Sequence, residues 1–109
     1  MSYVIEYTES AKEDLKHLDG SQRKQVLAAI NKVSQNPLPK RKGGYGNPLG
    51  NRDDSKLAGY LKIKLLRLGV RVVYELVKAE ESDIMKIVII AMRSDVYEEA
   101  ARRIETQDT

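Results

Sequence analysis

Tyr60-Leu61-Lys62-Ile63-Lys64-Leu65-Leu66-Arg67-Leu68-Gly69-Val70-Arg71-Val72-Val73-Tyr74-Glu75-Leu76 alternates apolar and polar residues on either side of a Leu68-Gly69 turn. Period-two alternation around a glycine turn predicts a β-hairpin. Successive side chains point to opposite faces, so Leu61, Ile63 and Leu65 share one face of the first strand. Val70, Val72, Tyr74 and Leu76 share one face of the second. Registers that keep the apolar rows together, such as Leu65 opposite Val70, also put Lys64 opposite Arg71 and Lys62 opposite Val73 on the other face. A one-residue slip would bury the cations. Like charges directly across a hairpin repel by some tenths of a kcal/mol, so Lys64 facing Arg71 points to an absent anion. The alternative is a solvated strand face with its cations splayed apart and Glu75 nearby.

Around the hairpin, Tyr3 to Tyr7 reads as a first strand. Ser10-Ala11-Lys12-Glu13 then has the form of a capping box, with Ala11, Leu15 and Leu18 on one stripe of a short helix that Gly20 stops. Ser21 caps a second helix with an apolar stripe of Val26, Leu27, Ile30 and Val33, and Asn36-Pro37 ends it. Pro37 to Gly59 holds all three prolines and five of the seven glycines with almost no periodicity, and reads as loop. After the hairpin, Ile84 to Met92 contains the continuous run Ile87-Val88-Ile89-Ile90-Ala91, which suits a central strand covered on both faces. Ser94 or Asp95 caps a terminal helix with a stripe of Val96, Ala100 and Ile104, Tyr97 lies one residue off that stripe, and Glu98 and Glu99 suit the helix dipole. The expected architecture is α+β in the order β-α-α-β-β-β-α. A mostly antiparallel four-stranded sheet carries two N-terminal helices and a C-terminal helix, packed on one side. Residues 1–109 are expected to form a single domain, with a long basic Gly/Pro loop at 36–58 and a disordered tail at 105–109.

The chain has 109 residues, a length that suits one compact core, and packs it without Phe or Trp. With no cysteine, a disulfide framework, a thiolate metal site and a Cys nucleophile are excluded. The N-terminus lacks the basic start and apolar run of a signal peptide, and no stretch approaches membrane-spanning length, so a soluble cytoplasmic protein is expected. Net charge is +3, but residues 40–72 hold nine basic residues against two acids, so that this segment is +7 and the remainder −4. Such segregation suggests a polyanion binder, RNA above all, with a basic loop serving only solubility as the alternative. Lys40, Arg41, Lys42, Arg52, Lys56 and Arg67 are the candidate RNA-binding residues outside the hairpin cluster. Gly43-Gly44-Tyr45-Gly46 would let backbone amides approach a phosphate, but no Gly-Lys-Ser/Thr follows as in a P-loop.

Two stretches, Tyr60-Leu61-Lys62-Ile63-Lys64-Leu65 with Gly69-Val70-Arg71-Val72-Val73-Tyr74, and Arg93-Ser94-Asp95-Val96-Tyr97, resemble the signature segments of the RelE toxins of type II toxin–antitoxin pairs, within the RelE/ParE superfamily. The order of elements agrees, and Asn47-Pro48-Leu49-Gly50-Asn51 is similar to the longer loop of some members. The resemblance implies a metal-independent endoribonuclease without cofactor that cuts mRNA in the A site of the small ribosomal subunit and is neutralised by a RelB-like antitoxin. DNA would be met only through the toxin–antitoxin complex, and no membrane is involved. By the same resemblance Arg71 and Arg93 clamp the scissile phosphate. Lys62 and Lys64 stabilise its charge, with one of them transferring a proton, and Tyr97 stacks on a base or aids proton transfer. Ala91-Met92 depart from the family, which often has Gly with His or Lys before the arginine. The single histidine, His17, reads as a surface residue. A ParE-like toxin acting on DNA gyrase, or a non-catalytic nucleic-acid-binding module of the same fold, are the competing readings.

Overall fold

The computed structural model describes residues 3–49 and 59–107. The chain runs β1 (Val4–Tyr7), α1 (Glu9–Lys16), α2 (Gly20–Val33), a 3-10 turn (Lys40–Lys42), β2 (Asn47–Pro48), β3 (Tyr60–Leu65), β4 (Val70–Val77), β5 (Ile84–Met92) and α3 (Val96–Gln107). The strands form one sheet in the order β1-β5-β4-β3-β2. The hairpin adopts the expected register, with Leu65 opposite Val70, Lys64 opposite Arg71 and Lys62 opposite Val73.

The α+β class holds, with corrections. Among the described residues the sheet has five strands rather than four, and it is mixed. β1 runs parallel to β5, as a strand rejoining a distant partner through a long crossover can. The fifth strand, β2, pairs Asn47 with Lys62 and Pro48 with Leu61, inside the segment read as loop. That segment carries order which periodicity does not reveal. The Lys40 amide donates to the Gly46 carbonyl at 2.9 Å, the Gly46 amide to Leu38 at 3.0 Å and the Tyr45 amide to Asn36 at 2.9 Å. A Cβ on Gly44 would overlap the Leu38 carbonyl oxygen, and one on Gly46 the Tyr74 hydroxyl, so only glycine permits this approach. At the other end of the chain, residues 105–107 of the tail expected to be disordered continue the helix, since no Gly or Pro interrupts it, and residues 108 and 109 lie outside the described residues.

Helix starts also differ. Thr8, extended as it leaves β1, caps α1 by accepting from the Ala11 amide at 3.1 Å, so Ser10 lies inside the helix. Gly20 opens α2 rather than stopping α1. Asp19 and Gln22 form the capping box, at 2.8 and 3.2 Å, because an aspartate two residues earlier outcompetes Ser21. Arg23 closes the hairpin of helices by donating to the Leu15 carbonyl at 2.9 Å and the Leu18 carbonyl at 2.7 Å, near the end of α1.

The helices do not share one side of the sheet. Ala11, Val26, Ile30 and Val33 of α1 and α2 pack against Leu61, Ile63, Val70, Val72 and Tyr74. α3 covers the opposite face, where Val96 and Ala100 meet Val73, Val88 and Ile89. The central strand therefore has both faces buried, as its unbroken apolar run implies. A bulge makes this possible. Val73 pairs with Ile89 and Tyr74 with Ile87, which leaves Val88 as the extra residue and lets Val88 and Ile89 both turn toward α3.

β1 pairs with Ile84 to Ile87, so among the described residues the second half of β5 has no neighbouring strand on that edge. Side chains complete it. Asp14 of α1 accepts from the Ile90 amide at 2.9 Å and from both terminal nitrogens of Arg103 at 2.7 and 3.0 Å, while Arg103 donates to the Val88 carbonyl at 3.1 Å. Glu99 holds Arg103 from one turn earlier in α3 at 3.0 Å. α3 is thereby fixed to the sheet by a partly buried ion pair whose hydrogen-bonding capacity is largely satisfied.

Candidate functional site

The α3-covered face of the hairpin carries Lys62, Lys64 and Arg71 in one patch, because partners in an antiparallel register share a face. Lys62 meets Tyr97, near the N-terminus of α3. Its Nζ donates to the Tyr97 hydroxyl at 2.5 Å and lies 5.1 Å from the ring centroid. A phenol that accepts from an ammonium keeps its own hydrogen free to donate. The two residues, separated by 35 positions, form the pair that joins β3 to α3.

Arg71 is the exception among the cations, since it is only 6% exposed. One terminal nitrogen donates to the neighbouring Val70 carbonyl at 3.2 Å, and no carboxylate among the described residues pairs with it. No buried side-chain nitrogen or oxygen among the described residues lacks a partner, so the rest of the guanidinium keeps an edge at the surface. A buried, unpaired cation is unfavourable, and an anion reaching that edge would offset the penalty. Lys64 stands beside it, exposed, on the adjacent strand.

Arg93 follows the last residue of β5 and is exposed. Its amide donates to the Gly69 carbonyl at 2.8 Å, which ties it to the turn end of the hairpin, where Met92 pairs with Val70. Ala91 is the register partner of Arg71 and, as a small side chain, leaves the guanidinium its space. Register alone brings Arg93 near the patch. Lys62 and Tyr97 are in contact.

The other basic residues divide. Lys40 lines a groove of about 520 Å³ that also includes Lys64. Arg41 and Lys42 turn to a different groove of about 390 Å³, beside Pro48 and Leu61. Arg67 lies on the hairpin turn beside Gln25 and Ala28 of α2, apart from the Lys62–Tyr97 pair. Arg52 and Lys56 lie outside the described residues. His17 is exposed at the C-terminal end of α1, with Nδ1 2.7 Å from the Glu13 carbonyl. Among the described residues no cluster of His, Cys, Asp or Glu could hold a metal ion, and no helix is long and apolar enough to cross a membrane.

Two features escape the sequence reading. Asn47 of β2 reaches the Lys62 carbonyl at 3.5 Å and steadies the strand from its outer edge. The Asp14–Arg103 pair holds α3, and with it Tyr97, against β5. The Arg102 hydrogen bond foremost, and then the charges of Arg103 and Arg102, hold the Glu99 carboxyl below the usual carboxylate range against the opposing effect of burial. The hydrogen bond to Asp14 leads the effects that raise Arg103 further. Only the Glu99–Arg103 spacing of four residues is visible without coordinates.

The sheet, its three helices and the architecture of known relatives define the class as a toxin of the RelE/ParE superfamily. Residues 5–97 match the family described as ParE toxin of type II toxin-antitoxin system, parDE, and the chain belongs to that family. Among solved structures it is similar to a mutant of E. coli toxin RelE in the free state, with 24% identity and TM-score 0.67 over 95% of this chain and 99% of that one. The toxin–antitoxin complex RelBE2 from Mycobacterium tuberculosis matches with 26% identity and TM-score 0.64 over 87% of this chain and 95% of that one. A YoeB/ParE toxin from Agrobacterium tumefaciens matches with 17% identity and TM-score 0.60 over 82% and 97%. No curated protein sequence matches the chain.

Proposed function

We propose that this toxin is a metal-independent endoribonuclease that cuts mRNA in the ribosomal A site and so arrests translation. The buried Arg71, paired with no carboxylate among the described residues and in register with Lys64, is the observation that carries the reading. A phosphate is the anion such a pair suits, and its charge increases as a phosphorane forms. The ribose 2′-hydroxyl loses its proton and attacks phosphorus, the bond to the 5′-oxygen breaks, and that oxygen gains a proton, leaving a 2′,3′-cyclic phosphate and a 5′-hydroxyl. Arg71 and Arg93 hold the phosphate, Lys62 and Lys64 stabilise it and one of them moves the proton at the nucleophile. Tyr97, its hydrogen left free by Lys62, donates to the departing oxygen or stacks on a base. Lys40, Arg41, Lys42, Arg52, Lys56 and Arg67 provide the wider electrostatic footprint. A RelB-like antitoxin is the expected protein partner, since complexes of toxin with antitoxin are solved for the RelBE proteins of E. coli and M. tuberculosis. The cytoplasm is the compartment this activity requires.

The family match favours one other reading, a ParE-like toxin that acts on DNA gyrase by protein contact. The two readings differ in what is left on the RNA. Induced in cells, the chain is expected to stop growth and leave ribosome-bound mRNA with cyclic-phosphate ends inside codons. Arg71→Ala with Arg93→Ala should fold and be harmless. Full toxicity of that double variant, or growth arrest with intact mRNA and inhibited gyrase, would sink the ribonuclease reading.

A further inference from the structure

Among the described residues, β2 pairs with Leu61 and Lys62 on the outer edge of β3, and the Leu49 amide adds a bond to the Tyr60 carbonyl. Past that pairing, the groove of about 520 Å³ opens between β3 and α2. Lys32 of α2, Lys40 of the 3-10 turn and Lys64 of β3 line it, and among the described residues no carboxylate does. Tyr45 stands in the same groove, 49% exposed, with Lys32 Nζ 5.8 Å from its ring centroid. A ring presents a lasting stacking face when its backbone is firmly held. Here it is held. The Tyr45 amide is bonded to Asn36, and the flanking Gly44 and Gly46 are packed against Leu38 and Tyr74 too closely for any side chain.

A fixed, half-exposed ring in a groove that the described residues line with cations and no acid combines base stacking with phosphate attraction. We infer that this groove is a subsite for single-stranded RNA, in which a base stacks on Tyr45 and the adjoining phosphates meet Lys32 and Lys40. Lys64 belongs both to the groove and to the patch with Arg71, so the strand passes from Tyr45 over the edge of β3 to the scissile phosphate. The inference rests on the ribonuclease reading and adds where nucleotides flanking the cut are bound. An acidic polypeptide would also be drawn to the lysines, but it has no use for the ring.

The test uses the full chain and a fluorescent single-stranded RNA decamer, 2′-O-methylated throughout so that it cannot be cut, followed by anisotropy at low salt. Loss of one stacked base is worth about 1–3 kcal/mol, so Tyr45→Ala should weaken binding by roughly 5- to 150-fold. Tyr45→Phe should bind like wild type, since it keeps the ring. Lys32→Ala with Lys40→Ala should flatten the dependence of log affinity on log salt by about 0.7 for each phosphate left without its lysine. Unchanged affinity in Tyr45→Ala, no binding by wild type, or displacement of the probe by polyglutamate as effective as by unlabelled RNA would overturn the subsite. The ends of mRNA cut on ribosomes report separately on the parent reading. Wild-type cleavage with unchanged Tyr45→Ala binding refutes the groove alone. Tyr45-dependent binding without cyclic-phosphate ends refutes the nuclease and keeps the groove.

Discussion

Arg71 is 6% exposed and pairs with no carboxylate among the described residues, a loss to stability that makes it a residue on which folding and function should part. Arg71→Met keeps length and removes charge. Its unfolding midpoint in urea should rise, by about 1 kcal/mol of stability, while mRNA cleavage falls roughly 10²- to 10³-fold, the usual effect of deleting one group that stabilises a developing oxyanion. A variant that lost both would mean that Arg71 serves packing alone. The pairing of Lys64 with Arg71 was legible from alternation, because a slip of one residue would have moved Leu61, Ile63, Val70 and Val72 into water. The burial of Arg71 was not, because it depends on what covers that face of the sheet. Tyr97 stood one residue off the apolar stripe of its helix, a sign of a side chain that packs elsewhere. Only coordinates identify Lys62 as its partner.

At the scale of elements, α3 is held by charge as well as by packing. The Glu99 carboxyl lies below its ordinary value of 4.5, so its stabilising effect is present above the ordinary range and is lost as pH falls through the lowered value. Glu99→Gln should therefore melt at a lower temperature than wild type at neutral pH, and the gap should close in acid. A gap independent of pH would remove charge from the account. The strands and helices themselves were readable. The capping residues Thr8 and Asp19 were displaced from the expected Ser10 and Ser21, because several residues near each helix start can accept from a free amide and the path of the incoming chain selects among them. The ion pair of Asp14 with Arg103 spans 89 positions and has no local signature. β2 was hidden for a related reason, since two residues are too few to show a period.

For the whole molecule, the sheet is a partition with two separate cores, and among the described residues α3 is the main cover of the smaller one, with Leu49 beside it. Ending the chain after Asp95 would expose Val73, Val88 and Ile89 and forgo the burial of Val96, alone worth roughly 1.5–3 kcal/mol. Light scattering should then show more self-association than in the full chain, whereas no difference between the two would mean that the larger core suffices. The uneven charge was legible as a total of +7 over residues 40–72, but the sequence could not show that the described cations divide among the hairpin patch, two grooves and the hairpin turn. The bulge at Val88 has a further consequence, which is one of parity. Counted from the start of β5, odd and even positions exchange faces at that residue, so Ala91 lies beside Arg71, whereas an unbroken count would have aimed it at the larger core. The spacing between Lys86 and Arg93 thus works as a reading frame for the sheet. Any descendant chain that gains or loses one residue there must restore the count nearby, or the guanidinium of its second signature arginine will emerge on the wrong side of the partition.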